Sequence, residues 1–159
     1  MDITAAITGL VMLGIFIVPI AILSLRNKNK ALLAELKDFA TQNNCEISEY
    51  DINAQFAIGM STPGNQVFFI RKEEANQDLF KSSIPLNHLI DCGLKTQNRT
   101  VNLQKSTEKV IDKLEISFQS KSQEKNTLSW VLYDSEMTTQ LDNEFQVGNK
   151  WVSIIKKAI

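Results

Sequence analysis

Residues Ile3 to Leu25 form a 23-residue run with no charged side chain, closed by Arg26, Lys28 and Lys30. At about 1.5 Å rise per residue the run reaches ~34 Å as a helix, enough to cross a hydrocarbon core of about 30 Å. Thirteen of its positions are Ile, Leu, Val or Phe. Each contributes roughly −0.3 to −0.6 kcal/mol near the bilayer centre, so together they favour insertion by roughly 4 to 8 kcal/mol. Pro19 removes one helical hydrogen bond, which membrane helices tolerate. A cleaved signal peptide fits less well. It needs a basic start, a shorter apolar stretch and a small-x-small cleavage site, whereas this chain starts Met1-Asp2 and the run ends Ser24-Leu25-Arg26-Asn27. The reading is a single-pass anchor over 1–26, followed by one soluble α+β domain over 27–159.

Charge sets the expected direction. Arg26, Lys28, Lys30 and Lys37 follow the apolar run and no Lys or Arg precedes it. The positive-inside rule then places the N-terminus outside and the domain in the cytoplasm, at the inner (plasma) membrane. These four membrane-proximal basic residues are also candidates for contact with anionic headgroups, at ~1 kcal/mol each. The whole chain carries 17 basic and 18 acidic residues, net −1, and no basic face large enough for nucleic acid stands out.

The domain opens with an amphipathic helix, within 27–44. Leu32, Leu33, Leu36, Phe39 and Ala40 follow a 3.6-residue period, with Glu35, Lys37 and Asp38 opposite. Strand signals fill 45–134. Ile52, Ala54, Phe56, Ile58 and Met60 alternate at period two, Ser61 to Asn65 supplies Pro and Gly turn chemistry, and Val67-Phe68-Phe69-Ile70 resumes as a strand apolar on both faces, suited to a central position. Ile84 to Leu94 carries Ile90, Cys92 and Leu94 on one face. Thr96-Gln97-Asn98 looks like a turn before a short strand at Val101 and Leu103. Leu114, Ile116 and Phe118 alternate with polar residues, Ser120 to Asn126 is a loop, and 128–133 returns as the partner strand. A terminal helix spans 139–157, opened by a Thr139–Asp142 capping box, with a stripe of Leu141, Phe145, Gly148, Val152 and Ile155 widened by Trp151 and Ile154.

About six or seven antiparallel strands closed by a C-terminal amphipathic helix resembles the pleckstrin-homology-like barrel. The order anchor, helix, strands, helix also resembles an uncharacterised family of small single-pass bacterial membrane proteins. Ala57-Ile58-Gly59, Phe68-Phe69-Ile70, Ile90-Asp91-Cys92 and Trp151-Val152-Ser153-Ile154-Ile155 carry that resemblance. These are core patterns, so the resemblance implies a fold and no activity.

Chemistry-bearing constellations are sparse. His88 is followed by Asp91 and Cys92; on a helix His88 and Cys92 would share a face as an activated thiol, but on a strand positions 88 and 92 lie ~13 Å apart. Cys45 and Cys92 are far apart and read as reduced core residues. One His and two separated Cys cannot make a tetrahedral zinc site, and Asp134, Glu136 and Asp142 lack calcium-loop spacing. No phosphate-loop, dinucleotide or nucleophile-elbow motif occurs. Arg71 and Lys72 are followed at once by Glu73 and Glu74, unlike a converging phosphoinositide site. The sequon Asn98-Arg99-Thr100 is a chance-level match. Trp130 and Trp151 sit on apolar faces and read as core. The sequence therefore points to a non-enzymatic, membrane-tethered domain serving protein–protein contact, with an anionic-lipid surface module as the alternative. No catalytic residue, cofactor, metal or small-molecule ligand is expected.

Overall fold

The computed structural model describes residues 29–62, 65–73, 79–103, 106–121, 128–138 and 140–159. The expected anchor, with Arg26 and Lys28, lies outside the described residues. Among those described, no helix is long and apolar enough to cross a membrane. The anchor-first fold class and the single-pass inner-membrane placement are therefore not carried by this structure. The described helix nearest that end, α1 (29–42), is only ~21 Å long and packs its apolar stripe on the β-sheet.

Among the described residues, seven strands form two antiparallel sheets. Sheet A is a meander of β1 (Glu49–Ile52), β2 (Phe56–Ser61), β3 (Gln66–Lys72) and β4 (Leu79–Pro85); sheet B joins β5 (Leu89–Leu103), β6 (Ser106–Ser120) and β7 (Leu128–Asp134). The alternation from Ile52 to Met60 is not one strand. Asn53 breaks it, its Oδ1 accepting the N–H groups of Gln55 and Phe56 at 2.9 and 2.8 Å, the side-chain turn for which Asn is suited. β2 and β3 then pair with Ile58 opposite Phe69, and Asn65 takes the left-handed conformation at φ 45°. β3 lies between β2 and β4, which is why 67–70 is apolar on both faces. Val67 and Phe69 enter the core between the sheets; Phe68 and Ile70 face α1.

Sheet B departs most from the sequence reading. Ile84 belongs to β4, and Leu86–His88 forms a short 3-10 turn before β5 starts. β5 runs unbroken through Thr96-Gln97-Asn98 for 15 residues. Its register skips Ile90, between Leu89 opposite Ser120 and Asp91 opposite Gln119. This bulge re-aims the strand: Leu89 and Cys92 are 3% and 2% exposed, while Ile90 is 54% exposed and does not share their face. A second bulge leaves Asp112 of β6 unpaired with β5, and a third sits at Leu132 of β7. The third turns neighbouring Leu132 and Tyr133 both inward.

Two cores result. Leu32, Leu36 and Ala40 of α1 cover the outer face of sheet A. Gly59 permits that approach, because a Cβ there would lie 3.1 Å from both Leu36 and Ile47. The main core fills the space between the sheets. Trp130 is fully buried at its centre, stacked on Phe69 at 5.1 Å and edge-on to Phe118 at 4.6 Å. The terminal helix α2 spans Glu144–Ala158. It starts beyond the expected capping box, of which Thr139 lies outside the described residues. Its buried face is Glu144, Val147, Gly148, Trp151 and Ile155, and Phe145 is 42% exposed. Glu144 explains the rotation. Its carboxylate accepts from Asn53 Nδ2 at 3.0 Å and from the Asp142 N–H at 2.7 Å, so a buried acid replaces the phenyl ring that hydropathy alone would have placed inside.

Candidate functional site

A sheet edge is a row of unpaired backbone donors and acceptors, and folded proteins cover it. Two sheets in series have four outer edges: β1, β4, β5 and β7. The helix α2 closes the side between β1 and β5. Toward β1, Lys150 Nζ and Trp151 Nε1 both donate to Asp51 Oδ2, at 2.7 and 2.8 Å. The Asp51 hydrogen bond and charge, with Glu49 nearby, hold Lys150 above its ordinary pKa. Toward β5, Lys156 pairs with Asp91 at 3.0 Å, and the Cys92 thiol lies 3.7 Å from the Val152 carbonyl oxygen. On the other side, β4 and β7 are linked by Trp130 Nε1, which donates to Ser82 Oγ at 3.0 Å.

The distal halves of β5 and β6 escape this cover. The register pairs β6 with β5 from Ser106 to Ser120, but with β7 only from Lys113 to Phe118. Residues 98–103 and 106–111 therefore continue as a two-stranded arm of about 20 Å, at the usual strand rise. Asn98, Arg99, Thr100, Lys109 and Val110 are all exposed, so both faces of the ribbon meet solvent. A free two-stranded ribbon is marginally stable by itself, and this one presents an edge on each side among the described residues.

The Asp112 bulge forms the root of the arm. Arg99 Nε lies 3.1 Å from Asp112 Oδ1, and Ser135 Oγ donates to the same oxygen at 3.3 Å. The Ser135 N–H donates to the Asp112 carbonyl at 2.8 Å, one last rung before the chain turns away. Asp134 organises that turn, its carboxylate accepting the Glu136 N–H at 3.0 Å. Gln97, Arg99, Asp112, Lys113, Asp134, Ser135 and Glu136 line an open polar recess of about 380 Å³. A second depression, beside Arg71 and Tyr133, has about 10 Å³, room for a single water.

The residues singled out from sequence do not converge. Lys30 and Lys37 are exposed on α1, and Lys37 Nζ lies 6.0 Å from the Tyr50 ring centre. Arg26 and Lys28, the other two of that set, are outside the described residues. His88 sits exposed in the 3-10 turn, where its carbonyl accepts from the Lys121 N–H at 2.8 Å. Cys92 is buried, and that desolvation pushes its thiol up to about 11 despite the opposing charge of Lys156. Asp91 is held below its usual range by the Lys156 hydrogen bond and the Cys92 N–H. A thiol so raised is the opposite of an activated nucleophile. Lys72 Nζ donates to the Ala54 carbonyl at 3.1 Å. Asp134 and Asp142 are occupied with turns and the start of α2, and among the described residues no three His, Cys, Asp or Glu side chains are placed to hold a metal. Both tryptophans are fully buried, as expected.

The sequence reading missed Arg99, Asp112 and Ser135, and the arm itself. A signal existed: no Gly or Pro occurs between Gly93 and Gly148, so the turn assigned at 96–98 lacked the residues that punctuate a chain. Comparison with protein-family models, curated proteins and solved structures finds no match to this chain.

Proposed function

We propose that this protein is a non-catalytic protein-interaction module whose contact surface is the β5–β6 arm and its root. The observation that carries the reading is the contrast in cover. Side chains or a helix meet the outer edges of both sheets, whereas 98–100 and 109–110 stand exposed on both faces of a ribbon that gains little stability alone. Exposed edges are the usual template for pairing with another chain, so an arm that extends past its own core is matched to contact. Cys92 and His88 serve packing and turn formation in this reading.

Site-specific photo-crosslinking in cells that make the full chain tests it. A crosslinker at Thr100 and another at Lys109 give the same protein adduct, and one at Asn149, exposed on α2, does not. Adducts from Asn149 with none from the arm would move the contact surface to the helix.

A further inference from the structure

We infer that the arm accepts an extended segment of a different polypeptide, added as a strand along the β6 edge at the point where β7 leaves it. This rests on the interaction reading above and names its partner class and binding mode. β7 follows β6 as far as Lys113, Ser135 adds one rung to the Asp112 carbonyl, and the Met137 and Thr138 N–H groups then turn back to the Asp134 carbonyl. The line β7 would have continued along 106–111 carries no strand among the described residues. Alternate residues of an edge direct both backbone groups outward, so six residues offer about three donor–acceptor pairs in a fixed spacing. An extended backbone matches that spacing; a helix, with its backbone groups satisfied internally, does not.

Geometry favours this edge over that of β5. A strand added along β5 runs toward α2, where Lys156 and Val152 already contact Asp91 and Cys92. Along β6 it runs instead into the open recess at the root, about 380 Å³ in volume.

Charge argues against a second copy as the occupant. Two-fold antiparallel pairing of identical strands opposes only residues of the same face. Registers centred on Glu108 or Lys109 set that residue against itself, and the register centred on Val110 sets Glu108 against Asp112. Like charges directly opposite are destabilising. A heterologous strand avoids this by placing an acidic residue opposite Lys109 and, on the other face, an apolar residue opposite Val110, which is 37% exposed.

A random linear peptide library displayed on phage and selected on the full chain tests the assignment. Lys109→Glu, at an exposed position, and Thr107→Pro, which removes an N–H from the outward edge of β6, serve as counter-selections after their melting curves are shown to match the parent. Enriched peptides alternate apolar and polar residues with an acid on one face. N-methylation at alternate residues weakens them at least tenfold, and methylation at the intervening residues does not. Lys109→Glu weakens them about tenfold, and exchanging the peptide's acid for Lys restores binding. Should Thr107→Pro alter the fold, the Lys109→Glu exchange and the N-methylation pattern decide alone. Arm-dependent peptides with helical or Pro-rich patterns overturn strand addition and leave the interaction reading standing. Arm-dependent self-association of the chain in sedimentation overturns the choice of a different polypeptide. Peptides indifferent to both substitutions overturn both readings.

Discussion

β5 is one strand with two environments. Its first half lies under α2, with Leu89 and Cys92 almost inaccessible and Leu94 packed against the core. Its second half, from Lys95 to Thr100, is exposed at every residue. Backbone and pairing partner are the same throughout, so the difference lies in what the inward positions carry. Leu94 gives way to Thr96, Asn98 and Thr100, and the core stops where the apolar side chains stop. The lesson is that strand length and core length are separate quantities here: hydrogen bonding to β6 prolongs the strand beyond the point where burial sustains it. Stability should therefore concentrate at the α2 end and be nearly absent from the arm, a gradient usual in folded proteins.

The sharpest way to break that contrast is at Trp151. It is fully buried and donates to Asp51, joining the β1 edge to the helix. Trp151→Ala should cost about 3–5 kcal/mol, as buried aromatic truncations do, against the ~5–15 kcal/mol that a whole domain has. Chemical denaturation of the full chain reads this directly. An unchanged midpoint would mean that α2 is not what closes the molecule.

Next in size is Gly148. A Cβ there would lie 2.6 Å from Leu94 Cδ1 and 2.9 Å from Leu132 Cδ1, so the helix rests on sheet B because this residue has no side chain. Gly148→Val should cost about 1–3 kcal/mol by overpacking. Gly148→Ala should cost less, since the methyl groups in its way can swing aside and Ala regains about 1 kcal/mol of helix propensity. A stabilising Gly148→Val would show that α2 sits further from the sheet.

Cys92 gives a smaller, pH-dependent effect. Burial raises its thiol to about 11, above the ordinary Cys value of about 8.5. A folded-state pKa above the unfolded one favours the protonated thiol in the native protein. Its contribution is therefore complete below about pH 8.5 and fades as pH rises toward 11. Alkylation should be slow in the native protein at neutral pH and fast in denaturant. Cys92→Ala should remove this alkaline sensitivity at a cost of about 1 kcal/mol, as for a small buried deletion. Rapid native alkylation that is abolished by His88→Ala would instead make the pair an activated nucleophile.

How much of this was legible in the sequence follows from the same contrast. Where a strand packs on both faces, as at Val67 to Ile70, or alternates strictly, as at Leu114 to Phe118, hydropathy located it. Where local polar bonding overrides periodicity, it did not. Asn53 splits an alternating run, the Ile90 bulge removes that residue from the face of Cys92, and buried Glu144 displaces Phe145 from the stripe of α2. Each is a side chain or backbone irregularity whose partner lies elsewhere in the fold, invisible to a local pattern. The arm was missed for a related reason. Its inward positions are polar because nothing covers them, and polar residues without a core look like a turn.

The smallest effect is the most specific to the arm. Thr100 is exposed on a ribbon that no other described element covers, so Thr100→Ala should shift stability by no more than about 0.5 kcal/mol, the range of surface substitutions. Backbone hydrogen exchange supplies the positive half of the test. Amides of 114–118, and those of 92–96 that bond β6, should exchange only on global unfolding, because opening them exposes the core. Those of 98–103 and 106–111 should exchange through local opening, orders of magnitude faster, with the change set at the Asp112 bulge. Arg99→Ala should shift that boundary only slightly, since the Arg99–Asp112 pair is largely solvent-exposed and such pairs contribute about 0–1 kcal/mol. Protection as strong in the arm as in the proximal strands would mean that something covers it in solution. Loss of that protection on dilution would point to a second copy as the cover, the occupant that charge argues against.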